Sequence, residues 1–339
     1  PYSMLERWLE YEKYEVNRVD LTKESPLPED YDTLVVLSPS RMNDRQRYEI
    51  NRALVSGKPV ILSVQTYLWD YRIDRNRLSL AQNQLNPEVN PLLEAYGLGV
   101  SEEILMDDNH VALSVPASGD LLSQLLNVLQ PINLPMHIYV PEPQMNHEAS
   151  ITNWLSTVFY LWGSPLTLDE DKLKELGLEH RVLMTTSERA WTAPGDADSR
   201  TLNEALMTPP DTGKQYPLMV MVTGQFPDAF KDKPRPAWPP SQPRPGMPPV
   251  PTETPEEGEP SPWTPAPGEL ILIGCAQPFN DNFINSVNNK DLLLNSVDAV
   301  SLGEELIDVR AKKPTNRVIA RPDTRTRVFW KVINYSAMN

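Results

Sequence analysis

Residues 31–63 read YDTLVVLSPSRMNDRQRYEINRALVSGKPVILS, and three features of that stretch set the architecture. Thr33-Leu34-Val35-Val36-Leu37-Ser38 is a short unbroken apolar run, the pattern of a strand buried on both faces. Asn43 can accept from the backbone three residues on, and Gln46 at that third position can return the bond. The pair therefore reads as the cap of a helix whose inner face carries Ile50 and Leu54. Gly57 supplies a left-handed stop, and Pro59-Val60-Ile61-Leu62-Ser63 follows as a second strand. Strand, helix and strand at this spacing imply a parallel pair joined by a right-handed crossover. The chain is α/β.

Upstream, Met4, Leu5, Trp8 and Leu9 recur at helical spacing, then Val16-Asn17-Arg18-Val19 alternates like a short strand, and Pro26 and Pro28 mark a loop. Downstream, the polar stretch from Tyr67 to Pro91 reads as irregular. A helix carrying Leu92, Leu93 and Tyr96 stops at Gly97, and Ile104-Leu105-Met106 is a strand closing on Asp107. Leu121 to Leu129 has helical spacing and Pro131 ends it. The second half holds expected strands at His137–Val140, Arg181–Thr185, Leu218–Thr223 and Leu270–Ile273. Helices are expected around Ile151 to Leu161 and over Asp291 to Val300, the latter packing Leu292, Leu293, Val297 and Val300. The run Asp169-Glu170-Asp171 after Thr167 suits a helix start, where carboxylates complement the dipole.

The chain has 339 residues, more than a single core usually organises, so two α/β units are expected at 1–130 and 131–320, followed by a membrane-proximal segment at 321–339. Of its residues 35 are proline, and they crowd into Lys231 to Pro267. That stretch, with acidic residues at Glu253 to Glu259, is expected to be a long extended surface insertion, with a proline-rich ligand for a partner groove as the functional alternative. A formal charge of -15 disfavours nucleic acid or an anionic membrane surface as the main ligand. The lone cysteine, Cys275, excludes an intrachain disulfide and is compatible with a reducing or an extracytoplasmic compartment. The chain opens without an initiator or leader and has no long apolar window, so it reads as a piece of a larger protein.

Several segments, taken in order, resemble the auxiliary component of ABC-type transport systems related to the gliding-motility protein GldG. They are Tyr31 to Pro39, Ser56 to Leu62, Pro91 to Leu98 leading to Asp107, Leu183 to Trp191, Pro217 to Phe230, Ile271 to Ala276, Asn289 to Asp298, and the closing Ile307-Asp308-Val309-Arg310-Ala311-Lys312. Ser56, Cys275 and Ala299 depart from the family pattern. The resemblance implies mostly parallel sheets flanked by helices, a glutamine-amidotransferase-like (flavodoxin-like) core used without its chemistry, and a periplasmic position with a membrane anchor beyond this sequence. It also implies a permease as partner, with the ATPase contacted indirectly. Phe329, Trp330 and Lys331, with Arg325 and Arg327 (and Arg321 before them), have the aromatic and basic character of an interfacial segment.

Amidotransferase chemistry needs a cysteine on a tight strand-to-helix turn beside histidine. The strand that could host it ends Leu62-Ser63-Val64-Gln65-Thr66, without cysteine or flanking glycines. Ser63 and Cys275 are the remaining nucleophile candidates, and a small buried residue is the plainer reading of Cys275. The four histidines, His110, His137, His147 and His180, form no recurring metal-ligand spacing, although Asp107-Asp108-Asn109-His110 and His147-Glu148 hold ligand types. No glycine loop for phosphate occurs, so no cofactor is expected. Ligands of open α/β sheets lie beyond strand carboxyl ends, which singles out Ser38, Ser40, Gln65 and Thr66. Thr185, Thr186 and Ser187 beside Trp191 form the most distinctive polar-aromatic group, suited to a sugar or a peptide or else to locking a turn. The expectation is a non-enzymatic accessory domain; the alternatives are a small-molecule or glycan sensor and an amidotransferase-like hydrolase.

Overall fold

The computed structural model describes residues 2–74, 77–116, 129–207, 209–239 and 264–303. Its helices are α1 (Ser3–Tyr11), α2 (Asp44–Val55), α3 (Asn90–Leu93), α4 (Glu170–Leu176), α5 (Ser199–Met207) and α6 (Asn289–Leu302). The strands of the first half are β1 (Leu34–Leu37), β2 (Val60–Ser63), β3 (Tyr67–Asp74), β4 (Arg77–Gln84), β5 (Leu98–Val100), β6 (Ile104–Met106) and β7 (His110–Pro116). Those of the second are β8 (Leu129–Pro141), β9 (Thr157–Leu161), β10 (Leu166–Leu168), β11 (Glu179–Thr185), β12 (Trp191–Ala193), β13 (Pro217–Gly224) and β14 (Gly268–Ile273).

The opening β1–α2–β2 unit forms as its residues dictate. Asn43 accepts from the backbone N–H of Gln46, whose side chain accepts in turn from the Asn43 N–H, a reciprocal cap. Gly57 turns the chain at φ +82°, and β1 and β2 pair in parallel. Ile50 and Leu54 are buried, each contributing roughly 1.5–3 kcal/mol by leaving water.

The central sheet runs β1-β2-β14-β13-β11. Here the expectation of mostly parallel sheets with a flavodoxin-like core gives way to a mixed sheet. The β2–β14 pair is parallel, but β13 runs against both β14 and β11, and the other pairs, β5–β10, β6–β12, β3–β4 and β7–β8–β9, are all antiparallel. The cause is the connection. Gly224 and Gly268 are cross-strand partners, so the chain between β13 and β14 leaves and returns at one end of the sheet, which permits only an antiparallel pair. The sheet takes β1 and β2 from before residue 130 and its other strands from after it.

Both faces of the sheet are covered. On one, Ile61, Leu218 and Ile271 pack against α1 and α6 through Leu5, Leu9, Leu292 and Leu293. On the other, Leu62, Val220 and Leu272 meet Leu54 of α2, Leu98 of β5 and Leu166 of β10. A third cluster joins Tyr67 and Trp69 of β3 to Met106, Met136, Trp191 and α5.

Local differences from the sequence reading have local causes. β1 is an edge strand and only half-buried, not buried on both faces. Tyr67 to Gln84, expected to be irregular, is the two-stranded β3–β4 pair. The expected helix at Ile151 to Leu161 is a set of turns followed by β9, and Val16 to Val19 forms no regular element. Leu129 and Pro131 belong to β8; the rest of the expected Leu121 helix lies outside the described residues. So do residues 240–263 of the proline-rich stretch, the Ile307 to Lys312 match, and Arg325, Arg327, Phe329, Trp330 and Lys331. The described ends of that stretch both rest on α2. Arg45 in the first turn stacks on Trp238 at 5.0 Å and donates to the Pro236 carbonyl at 3.1 Å, while the Ala266 N–H donates to Val55 O at 3.0 Å, at the helix end.

Candidate ligand-binding groove

The carboxyl ends of β2 and β14 are closed by side chains of the chain itself. Gln65 is fully buried. Its amide N–H groups donate to Tyr67 O at 2.7 Å and Trp162 O at 2.8 Å, while its Oε1 accepts the Ala276 and Gln277 N–H groups at 2.9 and 3.2 Å. One side chain thereby fastens the ends of β2, β9 and β14. Thr66 is buried beside it, and its hydroxyl meets no partner among the described residues. Ser38 turns the chain at φ +48°, its N–H donating to Ser63 O at 2.8 Å. Ser40 is exposed, its hydroxyl donating to Leu85 O at 3.1 Å. These four residues follow the carboxyl ends of β1 and β2.

The two nucleophile candidates are buried and occupied. Ser63 Oγ donates to the Cys275 carbonyl at 2.8 Å, and Cys275 Sγ donates to the Leu161 carbonyl at 3.2 Å. Burial pushes the Cys275 thiol up to about 12, so little thiolate exists at neutral pH. The histidines are committed elsewhere. His137 is buried with Nε2 at 2.6 Å from Tyr71 Oη, which also accepts from Trp162 Nε1 at 2.6 Å. Burial holds this imidazole down to about 4. His110 Nδ1 faces Asp107 O at 2.8 Å, His180 lies 3.3 Å from Glu170, and His147 is exposed. Among the described residues no group of three or more His, Cys, Asp or Glu side chains is placed to hold a metal ion.

The polar-aromatic group has an internal order that the sequence does not reveal. Asp107, buried at the end of β6, is its hub. The carboxylate accepts the Ser187 N–H at 2.8 Å, the Ser187 hydroxyl at 2.6 Å and the Asn109 N–H at 2.9 Å. Thr186 Oγ1 accepts the Tyr216 N–H at 2.8 Å. Trp191 is 6 % exposed, packs in the third cluster and donates to Ala205 O. Thr186, Ser187 and Trp191 are therefore tied into a turn, with Thr185, Gln215 and Tyr216 as their neighbours.

Those neighbours line an open groove of about 520 Å³. One wall is β10 with Ser101, Glu103 and Glu170; the other is Val182 and Thr185 of β11 with Lys214 to Pro217. Gln215 reaches across to Thr185 Oγ1 at 3.0 Å, and the Lys214 ammonium lies 5.2 Å from the Tyr216 ring centroid. Hydroxyl, amide, aromatic ring and both signs of charge are present, a set suited to holding a polar or peptidic ligand. Lys214, Gln215 and Tyr216 escape a sequence reading because only the β11–β13 pairing brings them to Thr185.

A family model described as an ABC-type uncharacterized transport system matches residues 1–296. No curated protein matches the chain. Among solved structures, one titled "mmIFT52 N-terminal domain" is similar at 11% identity and a TM-score of 0.40, covering 80% of this chain and 77% of that one; the likeness is too weak to assign a fold. Among the described residues no helix is long and apolar enough to cross a membrane.

Proposed function

The chain belongs to the family of auxiliary components of ABC-type transport systems, and from that premise we propose that it is a non-catalytic accessory module that works by binding. In this reading it lies on the extracytoplasmic (periplasmic) face and contacts the system's permease through the groove between β10 and β11. The ATPase is reached only through the permease. A membrane anchor follows the aromatic-basic segment that includes Phe329 and Trp330.

The observation that carries this reading is the contrast between the two places where chemistry could reside. The groove is open and lined by unlike polar groups, including Thr185, Gln215, Tyr216 and Lys214. The nucleophile candidates Ser63 and Cys275 are sealed in the core, each donating to a main-chain carbonyl. An acyl-transfer site needs the reverse, with the nucleophile at the surface beside a base.

The test uses the full-length protein in its own membrane. Lys214→Glu with Tyr216→Ala should abolish co-purification with the permease, whereas Ser63→Ala with Cys275→Ala should leave both assembly and transport intact. Loss of transport in the second variant, with folding and assembly preserved, would overturn the non-catalytic reading. A glycan or small-molecule sensor is the second reading, favoured by the half-buried Tyr216 ring beside Thr185 and Gln215. Saturable binding of soluble oligosaccharides, with assembly indifferent to the groove variants, would select it.

A further inference from the structure

Among the described residues, the strand that forms one wall of the groove is paired on one side only. Ser101 N–H donates to Pro165 O at 2.9 Å and Asp169 N–H to Gly97 O at 2.8 Å. With the register Leu166↔Val100, Thr167↔Gly99 and Leu168↔Leu98, these bonds fix which residues face which way. Thr167 exchanges its backbone bonds with Gly99, and Leu166 and Leu168 direct theirs away from β5.

The opposite edge of the same two-stranded sheet confirms the phase. Val100 turns its N–H and C=O away from β10, and the Asn90 side chain meets both, with Oδ1 accepting the N–H and Nδ2 donating to the carbonyl, each at 2.9 Å. One side-chain amide thus stands in for a neighbouring strand on the β5 side. On the β10 side, among the described residues, no strand pairs. That edge borders the groove, and Leu166, Thr167 and Leu168 all line it.

An unpaired edge is a template for another extended chain. The edge of β11 across the groove is not available in the same way, because Asn146 blocks it. Its N–H donates to Leu183 O at 2.9 Å and its side chain to Val182 O at 3.1 Å. The rim beside β10 is acidic at both ends, with Glu103 near its start and Glu170 just after its end, and both are exposed. We propose that the groove recognises its partner by strand addition: an extended segment of the permease, carrying a basic side chain toward Glu103 or Glu170, pairs with the outer edge of β10. Main-chain bonds to Leu168, and to the narrow strip of Leu166 left open at 3 % exposure, supply affinity, and Tyr216, Lys214 and Gln215 on the far wall select the side chains that alternate toward them. This rests on the groove being the surface that meets the permease.

The experiment measures binding of short synthetic peptides, tiled across the extracytoplasmic loops of the permease, to the complete 339-residue chain. The binding peptide is then remade with each backbone nitrogen methylated in turn, which deletes one N–H and keeps every side chain. Strand addition predicts a period of two. Methylation at alternate positions should weaken binding about tenfold, the worth of one well-made hydrogen bond, and at intervening positions hardly at all. Neutralising the basic residue should weaken it too. Because these changes lie in the peptide, a folding defect cannot imitate the pattern. Uniform tolerance of methylation, with Tyr216→Ala still abolishing binding, would overturn strand addition and leave the groove as the contact. Binding by no tiled peptide, or binding indifferent to Tyr216→Ala and Lys214→Glu, would overturn both.

Discussion

Replacing Gln65 by leucine keeps most of the side chain's volume and deletes its amide. The amide satisfies two buried N–H groups, of Ala276 and Gln277, and two carbonyls, of Tyr67 and Trp162. Each buried donor left without a partner costs about 1–3 kcal/mol; carbonyls, with a second lone pair and more tolerance, add less. The expected loss is therefore about 4 kcal/mol, a large share of the stability typical of a folded protein. Urea unfolding should show a lower midpoint with an unchanged slope, because the surface exposed on unfolding is the same. Gln65→Glu sharpens the test. A carboxylate can still accept from Ala276 and Gln277 but would be set against the Tyr67 and Trp162 oxygens, so this variant should regain stability as acid protonates it. A cost below about 1 kcal/mol for Gln65→Leu would refute the claim that this residue fastens the strand ends.

Two further outcomes follow from the buried titratable groups. His137 is held down to about 4 by burial, against roughly 6.5 in an unfolded chain. The unfolded state therefore binds more protons between those values, so its contribution is whole above pH 6.5 and drains away as pH falls toward 4, by on the order of 3 kcal/mol. His137→Gln should lack that part of the acid sensitivity when stability is followed across this window. Cys275, its thiol pushed up to about 12, should react with iodoacetamide at pH 8 only at the rate at which the fold opens. Labelling should accelerate with urea; rapid modification of the native chain would contradict a sealed core position.

The sequence carries the parts of this fold that are decided locally. Asn43 with Gln46, Gly57, and the two apolar runs around them are sufficient for β1–α2–β2, because cap, stop and strand are each written within a few residues. Gly97 and Asp169 likewise announce the end of one helical turn and the start of α4. What escapes is decided by partners distant in the chain. Strands covered on both faces read as apolar runs whichever way they point, so nothing in Leu218 to Val222 tells that β13 is reversed. Ile151 to Leu161 has helical spacing by coincidence of turn residues and the inward side chains of β9. The β3–β4 pair did leave a trace, since Tyr67, Trp69 and Tyr71 alternate with period two, but the charged and amide residues among them masked it. The groove is hardest to foresee. Thr185 stands out by composition, yet Lys214 and Tyr216 reach it only through the β11–β13 pairing, and Glu103 comes from the far half of the chain.

Gly224 and Gly268 stand opposite each other as the last and first residues of adjacent strands, so the whole of residues 225–267 amounts, for the sheet, to a single reversal of direction. A chain that begins and finishes at neighbouring points adds little penalty as it grows, since ring-closure entropy rises only with the logarithm of length. This reversal is thus a place where the gene can gain or shed material and the framework barely registers the change. A long proline-laden excursion can be accepted there, and cutting residues 240–263 out of it, with Phe226 and the contacts to α2 retained, should leave the same five-stranded sheet standing.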